Sequence, residues 1–395
     1  MKMKMKTYIY ALIIMALPLL ANSQPTDSTI RNVVARIDTT RIHGIIKDLS
    51  GENPVTIEGK EYVINNRDYK SPLNAIAAKY VYYKFKEYGY EPHFSSIPYP
   101  SSTIKVDMET IYAVKIGKTK PNEIIVFAAS HDSKVNAKDS LGPGANENAS
   151  GLSVVLEASR IFKNIGTERT IIFVSFDDWA NTGFGNYLLD SLIQSLNSRL
   201  IGMGLDQIGY YGDKPIALMC TDTNNSKGLV GNFFNIANII EYPYPLISRN
   251  KFTPFYKFAL NGYDEVYFVR DFPPFPPYIG KTDVFSNLDL PFLHANARLA
   301  IGTLAYVAGI IGESLSVEYD RKTESELVFP NPVDDYINSK HFLGFSFKIF
   351  NLLGECIERG FVASEEINLY QIPAGCYYIV FSNRESNITT MFVKR

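Results

Sequence analysis

Cysteine is scarce in this chain. Three cysteines in 395 residues exclude a disulfide-framed fold. Cys220 ends an apolar, strand-like run and reads as a buried thiol. Cys356 and Cys376 share a tail segment, where an oxidising compartment would let them pair. Charge of one sign is missing too. The formal net charge is −2 with acids and bases interspersed, so no basic stripe offers a nucleic-acid surface. No Gly-rich phosphate cradle and no Gly-x-Ser-x-Gly elbow occurs. Tryptophan occurs once, at Trp179. Beyond the N-terminus no segment is apolar for long enough to span a bilayer, and the 301–311 stretch follows polar Asn296 and Arg298 and reads as a packed helix. What remains is 46% apolar, ample for a large core.

The N-terminus reads as an address. Lys2, Lys4 and Lys6 precede an apolar run from Tyr8 to Ala21, and Ala21-Asn22-Ser23 is a small-x-small cleavage site. Residues 1–23 are therefore expected to be a signal peptide, with Pro18 and the short run arguing against a membrane anchor. At the other end, Phe329-Pro330-Asn331-Pro332 breaks the chain, and strand patterns follow at 345–349, 377–380 and 391–393, separated by turn residues. That pattern predicts a small β-sandwich at 328–395, joined by a linker at 317–327 to a larger domain at 24–316.

In the larger domain strand and helix alternate. Ile124–Ala129 and Ile171–Phe176 are continuous apolar runs, as in strands buried on both faces. From Ser150 the period changes, with Leu152, Val155, Leu156, Ser159 and Phe162 on one helical face and Asn148 or Ser150 available as a cap. Further helices are expected near 73–88, 187–196, 229–240, 254–260 and 291–311, a strand near 201–208 and an extended stretch at 104–116. This is an α/β pattern: a mostly parallel sheet with helices on both faces. In such sheets ligands bind beyond the carboxyl ends of the strands. Three polar strand exits follow apolar runs: Ser130-His131-Asp132-Ser133, Phe176-Asp177-Asp178-Trp179-Ala180 and Leu205-Asp206-Gln207-Ile208-Gly209.

These exits, with Gly144-Ala145-Asn146-Glu147-Asn148-Ala149-Ser150-Gly151 between the first two, resemble the M28 family of zinc aminopeptidases in order and spacing over nearly the whole domain. The resemblance implies a zinc-exopeptidase-like fold, a metal site and a carboxylate base. It also places those roles on particular residues. The zinc-binding His falls on Ser130, the metal-bridging Asp on Asn146, the general base on Trp179, a further ligand on Ala180 and the last His on Ile279; only Asp206 keeps a suitable ligand. Ile279 lies in Tyr278-Ile279-Gly280-Lys281-Thr282-Asp283, after the proline-rich Phe272–Tyr278 segment. One carboxylate does not hold a zinc ion, which takes three or four N, O or S ligands. The expectation is a peptidase-like protein without catalysis and without a cofactor, whose cleft, with Asp132, Trp179, Asp206 and Tyr278, receives a peptide, protein or glycan. The competing expectation is an active exopeptidase with a displaced zinc site built from His131, Glu147, Asp178 and Asp206.

The tail carries a second resemblance. Asn331-Pro332, Ile349-Phe350-Asn351-Leu352-Leu353-Gly354, Leu369 through Gly375-Cys376-Tyr377 and terminal Lys394-Arg395 resemble the type A sorting domain of the type IX secretion system. It implies a Bacteroidota-type bacterium, handling by that secretion machinery, passage through the periplasm and outer membrane, and a final place at the cell surface or outside it.

Overall fold

The computed structural model describes residues 25–98, 107–135, 140–177, 199–212, 214–270, 280–311, 333–351, 355–383 and 387–395. The expected signal peptide, the helix at 187–196, the segment 272–278 and the side chains of Asp178, Trp179, Ala180, Tyr278 and Ile279 lie outside the described residues. The chain divides into two compact units, Met1–Ser314 and Leu315–Arg395.

The first unit opens with helices α1 (Asp27–Val34) and α2 (Thr39–Leu49), which the sequence reading did not anticipate. Both are amphipathic and capped, by Thr26 onto the Thr29 amide and by Asp38 onto the Thr40 and Arg41 amides. A hairpin of β1 (Val55–Ile57) and β2 (Lys60–Tyr62) precedes α3 (Pro72–Glu87), whose Pro72 stands in the first turn behind the Ser71 cap. The sheet then unfolds along the chain as β3 (His93–Pro98), β4 (Asp107–Lys115), β5 (Lys120–Ser130), β6 (Arg169–Phe176), β7 (Arg199–Asp206), β8 (Ile216–Cys220), β9 (Leu246–Asn250) and β10 (Asp264–Arg270). Between them run α4 (Gly151–Lys163), α5 (Lys227–Ile239) and α6 (Tyr256–Leu260), and α7 (Leu290–Ala308) closes the unit.

The eight strands lie in the order β3-β4-β6-β5-β7-β10-β8-β9. The centre, β6-β5-β7-β10, is parallel throughout, as is β8 with β9; β3–β4, β4–β6 and β10–β8 are antiparallel. The continuous apolar runs are explained by two cores. On β5, Ile125, Phe127 and Ala129 enter the core under the large helical layer, while Ile124, Val126 and Ala128 enter the second core with Phe255 and Phe258. On β6 the split is Ile171 and Phe173 against Ile172, Val174 and Phe176. Alternate residues of one strand face opposite sides, so both sides must be apolar.

Two expected boundaries move for physical reasons. The last helix ends at Ala308 rather than Ile311, because Gly309 turns the backbone to φ +68 and Ile310 then bridges to Thr167. The helix expected from Pro254 begins at Tyr256, because Phe255 is spent in the second core and Thr253 hydroxyl caps the Phe255 amide at 3.2 Å.

The second unit pairs β11 (Tyr336–Asn338) with β14 (Glu366–Asn368) and builds an antiparallel sheet in the order β13-β12-β15-β16 from β12 (Ser346–Asn351), β13 (Cys356–Phe361), β15 (Gly375–Ser382) and β16 (Asn387–Lys394). Phe342 and Phe381 stack at 3.8 Å between ring centres in its core. Cys356 is a free, exposed thiol on β13, with β12 between it and the strand that carries Cys376. The pairing of Cys356 with Cys376 is therefore not made. Cys220, as expected, is free and buried.

Candidate functional site

The parallel centre of the sheet brings Ser130, Asp177 and Asp206 to one end, at the exits of adjacent strands β6, β5 and β7. Above them the chain returns through Gly142–Gly144 into an irregular turn, Ala145–Ser150, whose Glu147 and Asn148 have non-helical backbone angles and which feeds α4. The turn is entirely buried. It needs Gly144, whose φ is +58 and whose added Cβ would lie 2.4 Å from the Glu147 carbonyl and 2.5 Å from the Ser133 Cβ. Asn148 takes the capping role: its Oδ1 accepts the Gly151 amide at 3.1 Å, and its Nδ2 donates to the Leu205 carbonyl at 2.9 Å.

Beneath the turn lies Arg67, fully buried. Its guanidinium donates to the carbonyls of His131, Leu49, Pro143 and Gly144. Burial pulls its pKa down to about 10, so it stays charged at neutral pH. Asp283 answers from the other side, accepting the amides of Asn146 at 2.7 Å and Glu147 at 2.9 Å. Burial first, and then the charge of Glu147, push Asp283 up to about 7, against the pull of those amides and of Arg67.

The structure sorts the residues singled out by sequence. Asn146 is buried and accepts the Gly209 amide on its Oδ1 at 2.9 Å. Glu147, the next residue, acts on Asp206 by its charge. Glu147 carries one of the charges that raise Asp206 to about 7, second to burial; the hydroxyl of Tyr267, Lys134 and the Gln207 amide work in the other direction. Tyr267, on β10 beside β7, donates its hydroxyl to Asp206 Oδ2 at 2.6 Å. Lys134 reaches in from the β5 exit and places Nζ 3.1 Å from Glu147 Oε1. The charges of Glu147, Asp206 and Asp132 hold its pKa above the usual lysine value, although burial opposes them. Glu147 Oε2 is buried and has no hydrogen-bond partner among the described residues.

His131 goes elsewhere. Neighbouring residues of an extended chain point to opposite sides, and its buried ring meets Ser175 Oγ through Nδ1 at 3.0 Å. Burial, with the charge of Arg67, lowers its pKa to about 3, so it is neutral, and its Nε2 has no partner among the described residues. His131, Glu147 and Asp206 do not gather: among the described residues no three His, Cys, Asp or Glu side chains come together as a metal-holding group. Ser130 is buried, with only a long 3.5 Å approach from Asn148 Nδ2. Asp132 is partly exposed and acts on both Arg67 and Lys134 by its charge. His294 pairs with His43, Nε2 to Nε2 at 2.7 Å. Asp178, Ala180 and Ile279 lie outside the described residues. The described part of the cleft offers two carboxylates and an ammonium.

Sequence reasoning missed Lys134, Tyr267, Arg67 and Asp283. Lys134 follows Ser133 directly, so the strand exit itself was the signal. Tyr267 had none, since β10 was not anticipated: its Asp264-Glu265 start and Arg270 end hide an apolar middle.

Comparisons with known proteins match this geometry. The profile of Peptidase family M28 matches residues 111–182, which contain the end of β4, β5, the buried turn, α4 and β6 with its exit. The profile of a secretion system C-terminal sorting domain matches residues 327–395. Aminopeptidase YwaD of Bacillus subtilis is 30% identical over 121 residues, 29% of this chain and 26% of its own. The chain thus spans about a quarter of that relative's length. LapB of Legionella pneumophila superposes with a TM-score of 0.58 at 21% identity, covering 73% of this chain and 77% of LapB. The zinc aminopeptidase BSAP of Bacillus subtilis gives 0.56 at 12% identity, covering 70% and 98%. Glutaminyl cyclase of Macrostomum lignano gives 0.57 at 15% identity, covering 73% and 95%. At these identities the structural likeness concerns the fold alone. Among the described residues no helix is long and apolar enough to cross a membrane.

Proposed function

From a chain that joins a peptidase family M28 region to a type IX C-terminal sorting domain, and so is sent to the cell surface or beyond it, we propose a secreted peptidase-like protein whose cleft binds and does not hydrolyse. The observation that carries this reading is the donor set. Where a hydrolytic metal centre requires three or four donors and a carboxylate to take a proton from water, the described part of the cleft supplies Glu147 and Asp206, already facing an ammonium. The sequence supports it further, with Trp179, Ala180 and Ile279 at positions where the family's base and two of its ligands fall. No cofactor is needed for such a role. The partner is a peptide, protein or glycan, received beside Asp132, Asp206, Trp179 and Tyr278. The signal peptide at 1–23 and an origin in Bacteroidota belong to the same proposal.

A second reading has support from the family and from the Bacillus relative named an aminopeptidase. In it His131, Glu147, Asp178 and Asp206 form a displaced site around a zinc ion. The two readings part on one experiment. The protein, purified without chelators, is analysed for metals and assayed on aminoacyl and peptide substrates. The proposal expects less than stoichiometric zinc and no release of N-terminal residues. Metal-dependent release that disappears in Asp206→Asn would replace it with the second reading.

A further inference from the structure

We propose that Lys134 is a resident cation. Its ammonium, paired with Glu147 and within electrostatic reach of Asp206, stands in for a metal ion and keeps divalent cations out of the cleft. The inference deepens the reading of a non-hydrolytic cleft and rests on it.

Three observations combine. The first is position. Lys134 Nζ lies 3.1 Å from Glu147 Oε1, and the same ammonium interacts electrostatically with Asp206 and Asp132. The contact with Glu147 is direct, and the other two act through charge. The second is unused acceptor capacity. Glu147 is 9% exposed, and its Oε2 is buried with no hydrogen-bond partner among the described residues. An ionised carboxylate has room for about four hydrogen bonds or metal contacts, so this oxygen is free for a further cation. Asp206 is engaged by Tyr267 on Oδ2. The third is tethering. Lys134 follows the β5 exit at once, and Ser133 is pinned there, its amide donating to the Arg67 carbonyl and its hydroxyl to the Gly142 carbonyl at 2.7 Å. The base of the lysine side chain is therefore fixed at the edge of the cleft. A tethered ammonium has a high effective concentration beside the acid pair, which a dissolved cation must outcompete.

Removal of the ammonium leaves the carboxylates of Glu147 and Asp206, which already act on each other by charge, without that cation. All-oxygen ligation of that kind suits hard cations such as Mn2+ or Ca2+, with water completing the shell, better than zinc. The lysine is thus both the charge partner and the gate of a cryptic divalent site.

The test uses the full chain and Mn2+ as probe, followed by calorimetry and by the loss of the free Mn2+ electron-spin signal. The wild type is expected to show no saturable binding up to millimolar Mn2+. Lys134→Met, which keeps the stem and drops the charge, is expected to bind one Mn2+ at least about tenfold more tightly. Its melting temperature should rise with added Mn2+ while that of the wild type stays level. Glu147→Gln added to Lys134→Met should abolish both effects. A folded Lys134→Met that binds no Mn2+, or binds it equally well with Glu147→Gln, overturns the inference and leaves the non-hydrolytic reading standing. Stoichiometric metal with peptide release in the wild type removes that reading and this inference together.

Discussion

Two ionic clusters flank the same buried turn, and they differ in how completely their atoms are used. Under the turn, Arg67 donates to four backbone carbonyls and Asp283 accepts two backbone amides. On the cleft side, Lys134 meets Glu147 and senses Asp206, Tyr267 holds one oxygen, and Glu147 Oε2 has no partner among the described residues. The first cluster binds backbone and fixes shape. The second binds side chains, stays partly open to solvent and carries surplus negative charge. Buried charges persist only when paired and hydrogen-bonded, so surplus capacity is the mark of a place meant for a ligand. Satisfied capacity is the mark of scaffolding.

The comparison breaks most violently at Arg67. Arg67→Met should cost about 3–5 kcal/mol, because four carbonyls lose their donor and Asp283 its counter-charge inside the fold. Urea unfolding of the two proteins measures it, and a loss under about 1 kcal/mol would demote the cluster from scaffold to ornament. Gly144→Ala comes next, at about 2–4 kcal/mol. The added methyl meets backbone at 2.4 Å, at a φ that L residues rarely adopt. It should also move Glu147 and thereby raise the exposure of Lys134, visible as faster amine labelling.

On the cleft side effects are smaller and depend on pH. Tyr267→Phe removes the hydroxyl that donates to Asp206 and should cost about 1–2 kcal/mol above pH 8. Below pH 5 the cost should shrink, since a protonated Asp206 no longer gains a charge-assisted bond. An equal cost at both pH values would show that the bond does not depend on the Asp206 charge. The smallest effect is a slope. Asp206 and Asp283 stand near pKa 7 in the fold against an ordinary 3.8. The native state therefore holds their protons more tightly than the unfolded chain between those values. Their contribution is full below the ordinary pKa and is lost as pH rises through about 7. Asp206→Asn should flatten the fall in urea midpoint between pH 4.5 and 7.5; an unchanged slope would reject the shift at that residue.

The large domain was legible where physics is local. Runs such as Ile124–Ala129 and Ile171–Phe176 announced strands buried on both faces, and the shift of period after Ser150 announced α4. Where local signal is weak the reading stopped short: α1 and α2 are short amphipathic helices near the N-terminus, and β10 mixes charged ends with an apolar centre. The sequence marked the strand exits and the Gly144–Gly151 stretch, but placed Asn146 beside the metal position and left Glu147 to the alternative. An irregular turn has no fixed period, so the placing of its side chains depends on where Asp283 grips its amides.

Linear sequence thus determined the strands, the helical faces, the end of the sheet where polar groups meet, and the tail's sorting signature, because each depends on neighbours a few residues away. Only the tertiary structure decided that Lys134, Glu147, Asp206 and Tyr267 form one electrostatic unit. Their separations along the chain reach 133 positions between Lys134 and Tyr267, and Coulomb energy falls with distance through space and through a low dielectric, to which chain order is blind.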